Sequence, residues 1–498
     1  MRAGTLSSIL VAALTWCSAG CYEDSVVGTS GKREAKVAEP ASASMPKTQS
    51  MIAAKPGENV GLAEPFLGDI DGDGFDDFLI MASAARSSGE DTLAYLYYGR
   101  PDFPAQLSTE EADAVFQTNS FSSGPLGDID GDGLADFVLG RVTSSEIVFG
   151  SRRRLHGAYM PFSVGPRWLQ PELPSPFSPQ AVDMSVRRAG DLDGDGNADL
   201  LITGATLVPD GETIEDAPFG LRRHDYLVPG HPGEWPSETW DLSQAVAEFS
   251  YQIIESEGET YAQGLTPFAL GDLDGDGLAD LGVLAENGLL VFYGGREFRG
   301  LIGPEQADAH LLFKSQGLLA IGDADNDKAS DLVAISSDGG SIGVYYGRRW
   351  SGELMTKPDL VLNVDDADGV PGSFTACAGD IDGDGWAEIV VAIAEFAASS
   401  ESMEPAWPGG SVYVLRGTGK RYTGQRRLGR SDLLKGGPAR WTPQQLFAQG
   451  GFAWALSMNG DVDGDGGFDI LTSSTDMRMG APPTTAVYLI PSTPRTPD

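Results

Sequence analysis

The chain is punctuated by aliphatic runs too short for a helix, and seven of them follow directly on the same cluster of acids and glycines. Phe78-Leu79-Ile80, Phe137-Val138-Leu139, Leu200-Leu201-Ile202, Leu332-Val333-Ala334 and Ile389-Val390-Val391 are unbroken apolar stretches, which read as strands. An apolar run ending in Gly-Asp comes before the cluster, as in Phe66-Leu67 and Leu319-Ala320-Ile321. A third run follows, such as Ala94-Tyr95-Leu96-Tyr97-Tyr98-Gly99 or Gly343-Val344-Tyr345-Tyr346-Gly347. A fourth is typified by His310-Leu311-Leu312-Phe313 and Asp359-Leu360-Val361-Leu362. The pattern predicts repeated units of four strands, with the acidic cluster joining the first two.

Successive clusters begin at Asp69, Asp128, Asp191, Asp272, Asp323, Asp380 and Asp461, from 51 residues apart (Asp272 to Asp323) to 81 (Asp191 to Asp272). That period is too long for a solenoid coil and suits a four-stranded blade. Seven such sheets closing radially give an all-β, seven-bladed β-propeller over residues 51–491, which protects strand edges without one central core. The last repeat supplies three strands, near Ala453-Trp454-Ala455-Leu456, Ile470-Leu471 and Ala486-Val487-Tyr488-Leu489-Ile490. Met51-Ile52-Ala53-Ala54-Lys55 is expected to provide the fourth and fasten the ring. Residues 492–498 form a C-terminal tail.

The clusters carry candidate chemistry. In the first, Asp69, Asp71, Asp73 and Asp77 hold positions 1, 3, 5 and 9, and this alternation turns short carboxylates toward one point while Gly72 and Gly74 permit a tight turn. Asp128, Asp130, Asp132 and Asp136 repeat the pattern, as do Asp191, Asp193, Asp195 and Asp199, then Asp272, Asp274, Asp276 and Asp280, and finally Asp461, Asp463, Asp465 and Asp469. Asp380, Asp382 and Asp384 close with Glu388, one methylene longer. Asp323, Asp325, Asp327 and Asp331 enclose Asn326 and Lys328 in place of glycine, which makes this copy the weakest. Oxygen-only ligation without His or Cys favours Ca²⁺, with up to seven sites. An EF-hand is excluded, because position 12 (Ile80, Leu139, Ile202, Val283, Ala334, Val391, Thr472) never carries the bidentate Glu and the flanks are strand-like.

These repeats resemble the FG-GAP repeats of the integrin α-subunit head over about residues 50–491. The Asp-x-Asp-Gly-Asp-Gly-x-x-Asp loop, the Gly-Asp before it and the Tyr-Gly-Arg after the third strand (Tyr98-Gly99-Arg100, Tyr346-Gly347-Arg348) carry the likeness. The Phe-Gly of the family name is largely missing, although Gly451-Phe452 and Gly372-Ser373-Phe374 are similar to it. The resemblance implies a seven-bladed propeller with Ca²⁺ loops between blade strands. It extends to bacterial integrin-like surface proteins, fungal lectins and propeller-type polysaccharide lyases, so it fixes no single function.

Composition narrows the setting. The net charge of −38 excludes nucleic acid as a natural partner, since that would demand a dominant basic surface. Met1-Arg2 and the apolar run from Leu6 to Leu14 read as a signal sequence over residues 1–20, too short to span a membrane. Ser18-Ala19-Gly20-Cys21 resembles a bacterial lipobox, so Cys21 is the expected lipidation site and residues 21–50 a flexible tether. Tyr22 after the cysteine favours the outer membrane by analogy with other lipoproteins. Cys17 would leave with the signal, and Cys377, in the strand-like Phe374-Thr375-Ala376-Cys377-Ala378, is expected to be a small buried hydrophobe.

Four histidines, His156, His224, His231 and His310, fall in no catalytic or metal signature. Arg222-Arg223-His224, beside Asp225 and Tyr226, is expected in a long insertion of the third repeat, where the catalytic alternative is a Ca²⁺-assisted lyase base. Insertions at Ala205 to Asp225, Glu395 to Gly410 and Pro171 to Asp183, carrying Phe219, Phe396, Met403 and Trp407, should lie on the face opposite the acidic loops and offer aromatics to a protein or carbohydrate. The basic stretch from Lys420-Arg421-Tyr422 through Arg426-Arg427, Arg430 and Arg440-Trp441 either touches anionic glycan or neutralises nearby loop charge. The sequence thus points to a monomeric, calcium-stabilised binding or adhesion module of the cell envelope; the alternative is a polysaccharide lyase or hydrolase.

Overall fold

The computed structural model describes residues 50–492 apart from several connections, the longest being 173–180, 208–220, 397–408 and 429–450. Its strands form seven sheets arranged as a seven-bladed β-propeller, and one further hairpin, Gln252–Ser256 with Glu259–Gln263, lies between the third and fourth blades in the chain. In blade 1, Phe66–Gly68, Asp77–Arg86, Gly89–Tyr97 and Ala114–Thr118 pair antiparallel in chain order. First strands of consecutive blades touch one another around the ring, which makes them the innermost. Every second strand begins on position 9 of its loop: Asp77, Asp136, Asp199, Asp280, Asp331, Glu388 and Asp469.

Why continuous apolar runs form these strands is visible in blade 1. Phe78, Leu79, Ile80, Met81 and Ala82 are all buried, and successive side chains leave opposite faces of the strand. Phe78, Ile80 and Ala82 join Val487 and Leu489 of the last blade, while Leu79 and Met81 join Phe137 and Leu139 of the second. Each blade is therefore apolar on both faces. Among the described residues the buried hydrophobics fall into clusters that each bridge two consecutive blades. The core is divided around the ring, which lets one domain grow this long.

Two devices join blades at the rim. Ser50–Ala53 pairs with Thr484–Ile490, with Met51 opposite Tyr488, so the N-terminal strand is the fourth strand of blade 7. In addition, the connection between third and fourth strands lends a short strand, parallel to the outer strand of the preceding blade. Gly157–Tyr159 does this for blade 1, Glu238–Asp241 for blade 2, Gly300–Ile302 for blade 3, Gly352–Met355 for blade 4 and Gly424–Leu428 for blade 5. Gln106–Ser108 does the same for the closing strand itself.

Two expectations need correction. Arg222, Arg223 and His224 do not sit in an insertion: they belong to the strand Leu221–Val228, with His224 opposite Gly204 of Asp199–Leu207. The polar run disguises a hairpin that extends beyond its apolar part. The same applies to the insertion limits, since Glu388–Phe396 and Gly409–Leu415 pair up to Glu395 and Gly409. Phe219, Met403, Trp407, Arg430, Arg440, Trp441 and Cys21 lie outside the described residues.

Candidate metal centres

The acidic loops, numbered 1 to 7 in chain order, are built by their own carboxylates. Glycines at positions 4 and 6 adopt left-handed backbone, as at Gly72 (φ 77°) and Gly74 (φ 91°), and these turns aim successive N–H groups inward. In every loop the position 6 N–H donates to the carboxylate at position 1: Gly74 to Asp69, Gly133 to Asp128, Gly196 to Asp191, Gly277 to Asp272, Lys328 to Asp323, Gly385 to Asp380 and Gly466 to Asp461, at 2.7–2.9 Å.

Position 9 has a second job. One oxygen of Asp77 accepts the N–H of Ile70 (3.0 Å) and the other accepts Gly99 (2.8 Å), just past the third strand. The arrangement repeats at Asp136 with Gly150, Asp199 with Gly230, Asp280 with Gly294, Asp331 with Gly347, Glu388 with Gly417 and Asp469 with Ser492. The longer Glu388 does the same work as aspartate. Six of the seven partners are glycines, where the backbones nearly touch (a Cβ on Gly347 would lie 2.3 Å from the Ser330 carbonyl), and Ser492 takes the seventh place. These position 9 groups are buried, and burial pushes Asp77, Asp136, Asp280 and Asp469 up to about 8 and Asp199 up to about 7, against the opposing pull of their N–H donors.

Carboxylate oxygens of loops 1 to 5 also gather. Asp69, Asp71 and Asp77 each offer an oxygen within 4.8 Å of the others, as do Asp128, Asp130 and Asp136, then Asp191, Asp193 and Asp199, then Asp323, Asp325 and Asp331. In loop 4 the group is Asp272, Asp274 and Asp276. The sequence predicts four converging carboxylates per loop; the structure brings together three in each of these. Asp382 lies outside the described residues, while Asp380, Asp384 and Glu388 hold the same backbone positions as their counterparts.

Loops 1, 4 and 5 each meet an arginine from the next blade. Arg154 contacts Asp71 and Asp73, Arg349 contacts Asp274 and Asp276, and Arg421 contacts Asp325 and Asp327. Of these, sequence reasoning reached only Arg421, as part of the basic stretch. Loop 5 departs as expected: Asn326 (φ 60°) and Lys328 (φ 77°) hold left-handed backbone without being glycine.

The loops are joined to one another. The position 8 N–H of each donates to the position 1 carbonyl of the loop before: Ala135 to Asp69, Ala198 to Asp128, Ala279 to Asp191, Ser330 to Asp272, Phe468 to Asp380 and, across the closure, Asp76 to Asp461, at 2.6–3.0 Å. Between loops 5 and 6 the side chain of Asn326 replaces the carbonyl, accepting from Ala387 (2.9 Å) and donating to the Gly385 carbonyl (2.9 Å). The aliphatic residue at position 2, such as Ile70, Ile129, Leu192, Leu273 or Val462, is buried in the apolar cluster beneath.

Cys377 and three of the four histidines lie against neighbouring side chains. Cys377 is fully buried among Val390, Leu456 and Ile470. His231 stacks on Trp235 at 4.6 Å, His310 lies in Ala309–Leu312 with Nδ1 3.7 Å from Glu353, and His156 rests edge-on near Tyr98. No described helix is long and apolar enough to cross a membrane.

No family model matches the chain, and no curated protein matches it. Among solved structures it is similar to a subtype N11 neuraminidase-like protein of A/flat-faced bat/Peru/033/2010, with 9% identity over 78% of this chain and 94% of that one and a TM-score of 0.28. A likeness at that level says nothing about activity.

Proposed function

We propose that this protein is a calcium-stapled propeller serving as a rigid binding or adhesion module of the cell envelope. The observation that carries the reading is the gathering of three carboxylate oxygens in each of loops 1 to 5, positions 1 and 3 among them every time, within a turn whose backbone those acids already fix. Such a hard, all-oxygen donor set fits Ca²⁺ better than Zn²⁺, and its tolerance of Glu388 in place of aspartate fits the flexible Ca²⁺ shell better than the rigid octahedron of Mg²⁺. Positions 1, 3, 5 and 9 of each loop would hold the ion, which supplies charge neutralisation; the loops would resemble FG-GAP repeats in this respect. The protein's own groups do the rest, since position 9 ties the loop to the strand behind and position 8 ties it to its neighbour.

Recognition would fall to the face opposite the loops, where connections between second and third strands emerge, and its ligand would be a protein or carbohydrate. Cys21 would carry the lipid anchor at the outer membrane. The calcium reading is tested by thermal unfolding with millimolar Ca²⁺ and with excess chelator: a lower melting temperature in chelator is expected, because an ion that binds only the folded state stabilises it by mass action, and equal temperatures would reject it. A glycan and protein array probed with and without Ca²⁺ tests the binding role, and unsaturated sugar products in that assay would point to a lyase instead. Fatty-acid labelling that persists in Cys21→Ala would reject the anchor.

A further inference from the structure

Arg154, Arg349 and Arg421 reach their loops through one repeated unit. Each guanidinium lies over a tyrosine that follows the third strand of the loop's own blade: Arg154 over Tyr98 at 4.6 Å, Arg349 over Tyr293 at 4.6 Å and Arg421 over Tyr346 at 5.1 Å. The residue after each arginine donates its N–H to the hydroxyl of that tyrosine, from Leu155 and Trp350 at 2.7 Å and from Tyr422 at 3.1 Å. Cation and backbone are thus held together. The chain reaches this end point by two routes, since Arg154 and Arg421 stand four residues beyond Gly150 and Gly417, whereas Arg349 stands two beyond Gly347.

The sequence correlates with the geometry. A tyrosine directly precedes the post-strand glycine in blades 1, 4 and 5 (Tyr98, Tyr293, Tyr346), whose loops meet Arg154, Arg349 and Arg421. Blades 2, 3, 6 and 7 have Phe149, Pro229, Arg416 and Pro491 there, which offer no hydroxyl to such a unit. Loop 3 shows the contrast most directly. Arg296 stands two residues beyond Gly294, as Arg349 does beyond Gly347, yet it turns to its own blade, donating to the Gln306 carbonyl at 2.8 Å and Asp308 at 3.2 Å and lying over Phe298.

We propose that Arg154, Arg349 and Arg421 are built-in counter-cations that stand in for the divalent ion in loops 1, 4 and 5, leaving loop 3 as an open, ion-dependent loop. This inference rests on the calcium reading of the loops. A guanidinium on the carboxylates at positions 3 and 5 occupies oxygens that an incoming ion needs and repels it at close range, so ion entry requires the arginine to leave. Junctions held this way stay closed when metal is scarce.

The test is calorimetric titration of the full chain with CaCl₂. Wild type should show no more than four tight sites, the seven loops less the three with arginine. Arg154→Met, Arg349→Met and Arg421→Met should each add one site, tightened about tenfold or more. Tyr346→Phe, which keeps every carboxylate and removes only the hydroxyl, should loosen Arg421 and move the loop 5 affinity the same way by less, giving a readout if Arg421→Met does not fold. Seven equivalent sites in wild type, or no gain in any variant, would overturn the inference. Wild type binding nothing while Arg421→Met binds one ion would support the arginine inference and sink the calcium reading of the native loops; no binding by either protein would sink both.

Discussion

A carboxylate that takes two backbone N–H groups while shut away from water serves as structure first, and position 9 shows what that entails. Replacing Asp280 with alanine strands the buried N–H groups of Leu273 and Gly294, so chemical unfolding should register a loss of about 3 kcal/mol or more. Asp195→Ala, at an exposed position 5, should cost far less in chelator. The pH dependence follows from the same burial. Asp77, Asp136, Asp280 and Asp469 sit near 8 in the folded chain against 3.8 as the reference, so without metal the folded state holds protons that the unfolded state has released. Stability then is fully present below about pH 4 as far as these groups go and declines as pH rises toward 8. Melting temperatures in chelator should therefore fall between pH 5 and 8, and Ca²⁺ should suppress the fall; a flat or rising profile in chelator would contradict this. The sequence makes the acids legible because their spacing is fixed. Their backbone partners are not legible, because the glycine that meets position 9 lies anywhere from 14 residues away (Asp136 to Gly150) to 31 (Asp199 to Gly230).

At the scale of elements, apolar runs locate every second strand, yet they miss where hairpins stop. Arg222-Arg223-His224 pairs with Thr206-Ala205-Gly204 although its residues are polar, because beyond the buried stretch a ladder needs only backbone partners. The hairpin Gln252–Ser256 with Glu259–Gln263 escaped notice for the same reason. Loop 5 offers the sharpest test of local strain. Lys328 holds φ 77° with its N–H bonded to Asp323, a bond glycine would keep, so Lys328→Gly should stabilise by about 1 kcal/mol in thermal unfolding. Asn326→Gly should not, despite relieving φ 60°, since it deletes both hydrogen bonds to loop 6. If both variants gain alike, the bridging role of Asn326 is wrong.

For the whole molecule, seven repeats with one repeat short of a strand already imply a ring fastened by its N-terminal segment, and Met51 opposite Tyr488 is how the ring is closed. Deleting residues through 55 should expose the outer edge of Thr484–Ile490 and lower the melting temperature by more than any single loop substitution, with association through the bared edge visible in light scattering. The loop-to-loop hydrogen bonds and borrowed rim strands were illegible, because each depends on where the next blade stands. The closing strand has a mechanical consequence as well. Ser50–Ala53 is gripped along both edges, by Thr484–Ile490 on one side and Gln106–Ser108 on the other. Tension applied to the chain upstream of Ser50 is thereby shared between the last blade and the first, and two ladders must shear together before the ring can be pulled open.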